Sequence, residues 1–267
     1  NPGVVALAQK FKGIPAIIVG AGPSLDKNIN LLGQTQGHSL ILASDAALKP
    51  LLSQGVLPSI VVSLDPQEEI AKFFQGMSHR GMTLIAPSII HPRVLDLWQG
   101  NVIFFHKHAP DIPTLVEIAS QIPAIGRLTP GGSVLSVAYD LAFQSGTNPI
   151  IFTGQDLSYP KKKTHSRDSE DANVGLGATL EKQSENIVYE TDVNGRSLPT
   201  LKSMSVSKQW FDWAFTTWKR PGQTEVINCS EAGILTDHCS LMPLSEAIYK
   251  YCRQKINVNW AIKKILK

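Results

Sequence analysis

The stretch Ile17-Ile18-Val19-Gly20-Ala21-Gly22-Pro23-Ser24-Leu25 decides the fold of this chain. Its apolar β-branched residues are typical of a buried strand, and its glycines indicate a tight turn in which the backbone can approach a ligand. Proline suits the first turn of a helix, where N–H groups without an intrahelical acceptor point at an anion. The stretch therefore predicts a strand, a turn and a helix start. Its predicted nucleotide contacts are Gly20, Gly22, Pro23 and Ser24.

The same stretch limits the kind of ligand. It matches the dinucleotide-binding glycine motif only in part, because Leu25 stands at the place of the third glycine. The lysine of a Walker loop is also missing from it. A tight strand-to-helix turn without any ligand is the alternative interpretation.

Further short apolar runs follow along the chain, and amphipathic stretches separate most of them. The predicted strands are Ile14–Val19, Ser39–Ala43, Ile60–Leu64, Met82–Ala86, Val102–Phe105, Ile150–Thr153 and Glu225–Cys229. Most of these runs are apolar throughout, which is typical of parallel strands covered by helices on both faces. The fold class is therefore predicted to be α/β, a Rossmann-like doubly wound and mostly parallel sheet of about seven strands.

One polar region, residues 158–205, interrupts this alternation directly after the sixth predicted strand. Long irregular stretches of this kind are usually lids, binding loops or disordered inserts. Because ligands bind outside the carboxyl ends of strands in open α/β sheets, this insert is placed next to the predicted site. The whole chain, residues 1–267, is expected to be one nucleotide-sugar-binding domain with this insert.

Composition excludes several function classes. The 25 Lys and Arg against 22 Asp and Glu give a net charge of +3, far from the balance of a dedicated nucleic-acid binder. The three cysteines form no CxxC pair, and no apolar run approaches the length of a membrane span. We therefore expect a cytoplasmic protein with neither nucleic acid nor membrane as partner. The chain begins at Asn1, which suggests a piece of a longer protein.

Further candidate contacts follow other predicted strands or precede a predicted helix. They are Asp45, Asp65, the loop Gly131-Gly132-Ser133, Gly154 and Asp156. Because the carboxyl ends of parallel strands share one edge, these residues are expected to face one cleft. Aspartate and serine also cap helices, which is the alternative for each of them. Paired carboxylates could instead hold a divalent ion between phosphates.

His165 is the candidate general base, because it lies in the polar insert among basic residues and far from any apolar run. Basic neighbours would lower its pKa and keep the imidazole neutral, which suits proton abstraction. An ordinary surface histidine is the alternative. No histidine pair has the spacing of a metal site, so no metal ligand is predicted.

Several segments together resemble the central domain of the Maf motility-associated flagellin glycosyltransferases. They are Gly20–Leu25, Ala43–Leu48, Leu57–Gln67, Pro130–Ser133, Gly154–Tyr159, Lys163–His165, Asn228–Gly233 and Met242–Ala247. Their order covers nearly the whole chain. This family is in turn similar to bacterial sialyltransferases that use CMP-activated nonulosonic acids.

The resemblance implies a CMP-activated nonulosonic acid donor, of the pseudaminic or legionaminic acid type, and a flagellin Ser or Thr hydroxyl as acceptor. It places the glycine loop, Asp45, Asp65, Gly132, Ser133 and Asp156 around the nucleotide. His165 would be the general base, and Tyr159 would contact the leaving phosphate. This function implies no certain cofactor.

Two alternatives stay open. The same fold family includes an archaeal MptE-type 6-hydroxymethyl-dihydropterin pyrophosphokinase that uses ATP and Mg²⁺ and also carries aspartate at two strand ends. Under that alternative Mg²⁺ is expected as cofactor. The other alternative is a non-catalytic module that binds a nucleotide sugar or flagellin, since fold alone does not decide function.

Overall fold

A computed structural model describes residues 2–173, 176–177, 183–218 and 224–266 of the chain. The strands are β1 Ala16–Val19, β2 Leu40–Ser44, β3 Ile60–Val62, β4 Thr83–Pro87, β5 Asn101–Lys107, β6 Arg127–Leu128, β7 Ile150–Thr153, β8 Ile187–Thr191, β9 Ser197–Leu201, β10 Val226–Asn228 and β11 Ser240–Leu241. The helices are α1 Leu25–Asn28, α2 Asp45–Ser53, α3 Pro92–Leu97, α4 Pro113–Gln121, α5 Val134–Gln144, α6 Lys202–Thr217, α7 Leu244–Tyr251 and α8 Val258–Ile265. Short 3₁₀ segments include Ile29–Thr35, Glu68–Phe74 and Pro160–Lys162.

The main sheet has nine strands in the order β11-β10-β7-β1-β2-β3-β4-β5-β6. Every neighbouring pair in it is parallel. The chain starts in the middle at β1, winds outward through β2 to β6, and then crosses back to β7 on the other side of β1. This reversal makes the sheet doubly wound, as the apolar runs predict.

Both faces of the sheet are covered, because successive strand residues point to opposite sides. In β1, Ile18 packs into the core cluster that contains α5, whereas Ile17 and Val19 pack into the cluster that contains α2 and α7. All four residues of β1 are buried. The uninterrupted apolar runs are therefore explained by burial on both faces.

The predicted strand number of about seven is too low. The structure adds β6 and β11, two-residue strands at the two outer edges of the main sheet. The polar insert consequently follows the seventh strand of the structure, β7, and not the sixth. Arg127 and Leu128, which lie outside every predicted strand, form β6 beside the end of β5.

The insert over residues 158–205 is more regular than its composition predicts. It contains the antiparallel hairpin of β8 and β9, followed directly by α6. Residues 174–175 and 178–182 of the insert lie outside the described residues. Among the helices that the structure describes, none is long and apolar enough to cross a membrane.

Candidate functional site

The reversal of strand order falls between β1 and β7, which lie side by side in parallel register with Val19 opposite Thr153. In open α/β sheets the crevice at such a reversal, at the carboxyl ends of the strands, is where ligands bind. The two loops that leave this crevice are Gly20–Ser24 after β1 and Gly154–Asp156 after β7. Both were predicted as site loops from the sequence, and the topology brings them together.

The two loops pack against each other through their glycines. The N–H of Gly22 donates to the carbonyl of Gly154 at 2.9 Å. A β-carbon on Gly20 would lie 2.5 Å from the Gly154 oxygen, and one on Gly22 would lie 2.7 Å from the same oxygen. Gly154 also has a φ of +69°, which L side chains rarely adopt. These glycines are therefore required by close packing between loops, and the motif alone does not show a ligand.

Asp156 holds the glycine loop in place. Its carboxylate accepts the N–H of Ser24 at 2.9 Å and also the Ser24 hydroxyl. The side chain is buried, and burial raises its pKa from 3.8 to about 6. Asp156 thus occupies the place at the start of α1 where an anion would receive these two donors.

A cavity of about 490 Å³ opens beside this crevice. It is lined by Ser24, Asp26 and Lys27 from the start of α1, by Pro160, Lys161, Lys163 and Arg167 from the insert, and by Ser230 to Ala232 after β10. Lys27 pairs with Glu231, and the Asp26 carboxylate accepts the N–H of Arg167 at 2.9 Å. The volume of this cavity lies in the range of small-molecule binding sites.

Asp45 and Asp65 lie at the ends of β2 and β3. The carboxylate of Asp45 accepts the N–H of Ala46 and the hydroxyl of Ser63, each at 2.8 Å. Burial, with a smaller contribution from the charge of nearby Asp65, raises its pKa from 3.8 to about 6, although the hydrogen bonds from Ser63 and Ala46 oppose the shift. Ser44, and not Asp45, is the N-cap of α2 and accepts the N–H of Ala47. Asp65 is exposed at this edge.

The loop Gly131-Gly132-Ser133 precedes α5 at the same edge and is covered by α6. A β-carbon on Gly131 would clash with the ring of Trp210, and one on Gly132 would lie 2.5 Å from the Ser207 hydroxyl. The Gly131 N–H donates to the Ser136 hydroxyl at 2.6 Å. The Ser133 side chain makes no cap hydrogen bond to α5, and its oxygen is buried without a described partner.

The segment around His165 docks on the carboxyl edge. The N–H of Ser166 donates to the carbonyl of Ala21 in the glycine loop at 2.8 Å. Two ion pairs continue this docking, Lys49 with Glu170 at 2.5 Å and Lys72 with Asp171 at 2.7 Å. The insert thus lies against the glycine loop, α2 and the 3₁₀ segment Glu68–Phe74.

Burial is the main cause that lowers the pKa of His165, with nearby Asp171 opposing and Lys72 adding to the shift. The predicted direction agrees, but the predicted cause, the adjacent lysines, is not the principal one. The Nδ1 atom of His165 is buried without a hydrogen-bond partner among the described residues. Neither His165 nor the buried Tyr159 lines the cavity of about 490 Å³. Burial raises the pKa of Tyr159.

Sequence reasoning missed part of this site. The loop Ser230–Ala232 lines the cavity, and the Ser230 hydroxyl accepts the N–H of Gln155 at 3.0 Å. The sequence could have indicated this loop as part of the site, because it follows β10, whose carboxyl end lies at the same edge as those of β1 and β7. Lys27 was also missed, since only the folded chain brings it to Glu231 across 204 residues.

The residues do not form a ready Mg²⁺ site. Both Asp45 carboxylate oxygens already accept hydrogen bonds inside the protein. Among the described residues, no group of three or more His, Cys, Asp or Glu side chains is placed to hold a metal ion. Of the two carboxylates only Asp65 is exposed, so a Mg²⁺ ion at this edge would take most of its ligands from water and nucleotide phosphates.

A parallel sheet with its loops gathered at the strand-order reversal defines a doubly wound, Rossmann-like α/β protein. A family model for the 6-hydroxymethylpterin diphosphokinase MptE-like family matches residues 1–162. Because this is more than half of the chain, the protein belongs to the MptE-like family. The resemblance to the Maf and MptE-like family, which the strand-end motifs indicated, is confirmed.

A curated protein and a solved structure are also similar to this chain. An uncharacterized protein of Treponema pallidum (strain Nichols) is 32% identical over 160 residues, which are 58% of this chain and 27% of that protein. The structure of a Maf glycosyltransferase from Magnetospirillum magneticum AMB-1 matches with a TM-score of 0.69 at 17% identity. That match covers 98% of this chain and 40% of the Maf chain, and at this identity it shows a shared fold. The chain thus spans well under half of both relatives.

Proposed function

We propose that this chain is a glycosyltransferase that transfers a nonulosonic acid, of the pseudaminic or legionaminic acid type, from a CMP-sugar to Ser or Thr of flagellin. The fold match to a Maf glycosyltransferase supports the transferase class, because it extends over the insert and the C-terminal third as well as the glycine loop. The donor and acceptor are those that the resemblance to the Maf family implies.

The observation that carries this proposal is the positive charge beside the glycine loop. Lys161, Lys163 and Arg167 line the cavity, and none of them has an ion-pair partner among the described residues. Of its two acidic lining residues, Glu231 is paired and Asp26 accepts a backbone N–H. The positive charge of Lys161, Lys163 and Arg167 suits a nucleotide phosphate, because fixed cations in a partly enclosed site stabilise a bound anion.

The proposed transfer is a nucleophilic displacement at the anomeric carbon of the donor sugar. The acceptor hydroxyl oxygen forms a bond to the anomeric carbon, the bond from that carbon to the phosphate oxygen breaks, and CMP leaves with the electron pair. His165 would take the hydroxyl proton on Nδ1, which is buried without a partner among the described residues and would reach the acceptor once the insert moves. Its lowered pKa keeps the ring neutral near neutrality, as a base requires. Lys161 and Lys163 would neutralise the leaving phosphate.

Pterin pyrophosphokinase activity is the second candidate, because the matched family model carries that description. The aspartates at the ends of β2 and β3 motivated it from the sequence. It needs Mg²⁺ with ATP, and the engaged oxygens of Asp45 disfavour a metal there. A non-catalytic module that binds nucleotide sugar or flagellin would keep the cavity without transfer.

Thermal unfolding separates these functions, because a ligand that binds only the folded state stabilises it by mass action. We expect CMP to raise the unfolding temperature and ATP with Mg²⁺ to leave it nearly unchanged. Stabilisation by ATP with Mg²⁺ and not by CMP would favour the pyrophosphokinase. Replacing Lys161 and Lys163 with Gln should remove the CMP effect, whereas Lys10→Gln, on the opposite side of the fold, should retain it.

Replacement of His165 by Ala tests the proposed base. A positioned base contributes about 10² to 10⁴ in rate, so transfer to flagellin should fall by at least about a hundredfold. CMP binding, measured in parallel by calorimetry, should change little because His165 does not line the cavity. The control is His91→Asn, which can keep the cap of α3. Near-normal transfer by His165→Ala would remove this residue from the mechanism.

If His165→Ala keeps its activity, His108 and His106 are the next candidates for the base, and His106 is the less accessible of the two. Its Nδ1 lies 2.9 Å from the Ser88 hydroxyl and its Nε2 lies 3.1 Å from the carbonyl of Ile122. Both ring nitrogens are therefore engaged, and the ring is buried.

A further inference from the structure

A groove of about 700 Å³ lies between the 3₁₀ segment Val4–Leu7 and α8. Its lining includes Val5, Ala8 and Lys10 on one side and Trp260, Lys264 and Ile265 on the other. Trp260 is 58% exposed and Val5 is 54% exposed, although both are large apolar residues. The helix α8 packs on the core through Val258 and Ile262, so the core does not account for Trp260. We call the surface formed by these six lining residues the Trp260 face.

The positive charge of the chain is concentrated in the two sequence segments that form this face. Residues 1–25 and 247–267 contain eight Lys and Arg and no Asp or Glu. The remaining residues have 17 Lys and Arg against 22 Asp and Glu, which is a net charge of −5. Lys10 comes from the first segment and Lys264 from the second, so folding brings the two basic segments together at the groove.

The cations of these two segments have few counter-charges inside the protein. The structure describes seven of the eight, and among the described residues only Lys250 forms an ion pair, with Glu225 at 4.0 Å. No Asp or Glu lines the groove in the described part of the chain. Around the candidate site, by contrast, Lys27, Lys49 and Lys72 are each paired with a carboxylate. The Trp260 face therefore presents its positive charge to an external anion.

An exposed indole beside unpaired lysines suits the interface of a lipid bilayer. Tryptophan is enriched at the level of the lipid headgroups, where its apolar ring and its polar N–H are both satisfied. Each Lys or Arg near the surface strengthens binding to anionic lipids about fivefold. The Nζ atom of Lys264 lies 5.1 Å from the centre of the Trp260 ring, so α8 presents cation and ring together.

We propose that the Trp260 face binds the surface of a bilayer that contains anionic phospholipids. Trp260 and Val5 enter the headgroup layer, and Lys10 and Lys264 pair with lipid phosphates. This peripheral contact needs no membrane span, and the expectation of no membrane partner rested on the lack of such a span in the sequence. The contact is independent of the proposed transfer reaction.

Both sides of the Trp260 face lie at the amino edge of the sheet. The N–H of Gln9 donates at 2.9 Å to the carbonyl of Gln144, at the end of α5. Asn259 of α8 lines a cavity at the starts of β4 and β5. Because the candidate site lies at the carboxyl edge, a chain bound through this face keeps the site turned away from the bilayer.

The test is sedimentation of the chain with vesicles of equal parts phosphatidylcholine and phosphatidylglycerol, compared with vesicles of phosphatidylcholine alone. We expect binding to the mixed vesicles to be at least about tenfold tighter. The double variant Lys10→Gln with Lys264→Gln should weaken it about twentyfold, since two cations are lost. Trp260→Gln should weaken it about tenfold, because the indole leaves water when it enters the headgroup layer.

Matched controls come from the insert and α6. Lys162→Gln with Lys202→Gln removes the same charge from exposed side chains without an ion pair among the described residues. Trp213→Gln removes another exposed ring, since Trp213 is 48% exposed. Both controls should bind within about twofold of the parent chain, because distant surface charges are screened. Val5→Gln replaces Trp260→Gln if the latter unfolds at a lower temperature than the parent.

Each other result overturns the proposal. Equal weakening by the two double lysine variants would show attraction by net charge alone. Unchanged binding by Trp260→Gln or Val5→Gln would show that no apolar side chain enters the bilayer. Tripolyphosphate binding as tightly as the mixed vesicles would make the ligand a free phosphate anion. A parent dimer in analytical ultracentrifugation that Trp260→Gln makes monomeric would assign this face to a contact between two copies.

Discussion

Asp156 and Asp45 are both buried at the carboxyl edge, and burial raises the pKa of each to about 6, but they are held in different ways. Asp156 accepts both donors of Ser24, a residue 132 positions away in the chain. Asp45 accepts the N–H of its neighbour Ala46 and the hydroxyl of Ser63, 18 positions on. One carboxylate thus joins the loops after β1 and β7, which are far apart in the sequence, whereas the other joins the ends of the consecutive strands β2 and β3.

The largest effect is expected for Asp156→Ala. Removing the acceptor leaves the N–H and hydroxyl of Ser24 without partners in a buried place, so the free energy of unfolding should fall by about 2 to 4 kcal/mol. Urea denaturation at neutral pH measures this, and CMP binding should weaken with it. A loss below about 0.5 kcal/mol would show that Asp156 does not close the site.

A smaller loss is expected for Gly22→Ala. The new β-carbon would lie 2.7 Å from Oδ2 of Asp156 and from the Gly154 oxygen, and such overpacking typically costs about 1 to 3 kcal/mol. Gly33→Ala is the matched control, because nothing lies within 4 Å of its added carbon. If both variants melt at the same temperature, the loops are not packed as described.

The smallest effect at neutral pH is expected for Asp45→Asn. Burial raises the folded-state pKa of Asp45 to about 6, so the folded chain holds this proton more tightly than the unfolded chain. The resulting stability is fully present below the ordinary pKa of 3.8 and is lost as the pH rises through about 6.

The amide of Asn lacks that titration, so between about pH 4 and pH 7 the variant should gain about 2 kcal/mol relative to the parent chain. At about pH 7 the two should differ by less than about 1 kcal/mol. Urea denaturation across this range measures the difference. Parallel stability curves of the two proteins would show that Asp45 keeps its ordinary pKa in the folded state.

The sequence predicted the centre of the fold well and its periphery poorly. Apolar runs such as Ile150–Thr153 are buried on both faces, so their composition is enough to predict a parallel sheet. A two-residue edge strand such as Arg127–Leu128 has no periodicity and is defined only by its neighbour β5. The hairpin of β8 and β9 has exposed and half-buried residues along β8, which explains its polar composition.

For the site, strand-end residues could be predicted because parallel strands share an edge, and Gly20, Gly154 and Asp156 do meet there. Their roles could not be predicted. Whether a glycine faces a ligand or a second loop depends on how closely Gly22 and Gly154 approach each other. The local sequence around either residue does not determine this distance.

The hydrogen bond from the Ser166 N–H to the carbonyl of Ala21 makes one amide a reporter of the whole insert. While the insert rests on the glycine loop, this amide is shielded from solvent deuterium. An opening of the insert would expose this amide, and its exchange would then follow the fraction of time that the insert is open, independently of global unfolding. Hydrogen exchange at Ser166 therefore measures the free energy that holds the insert on the glycine loop.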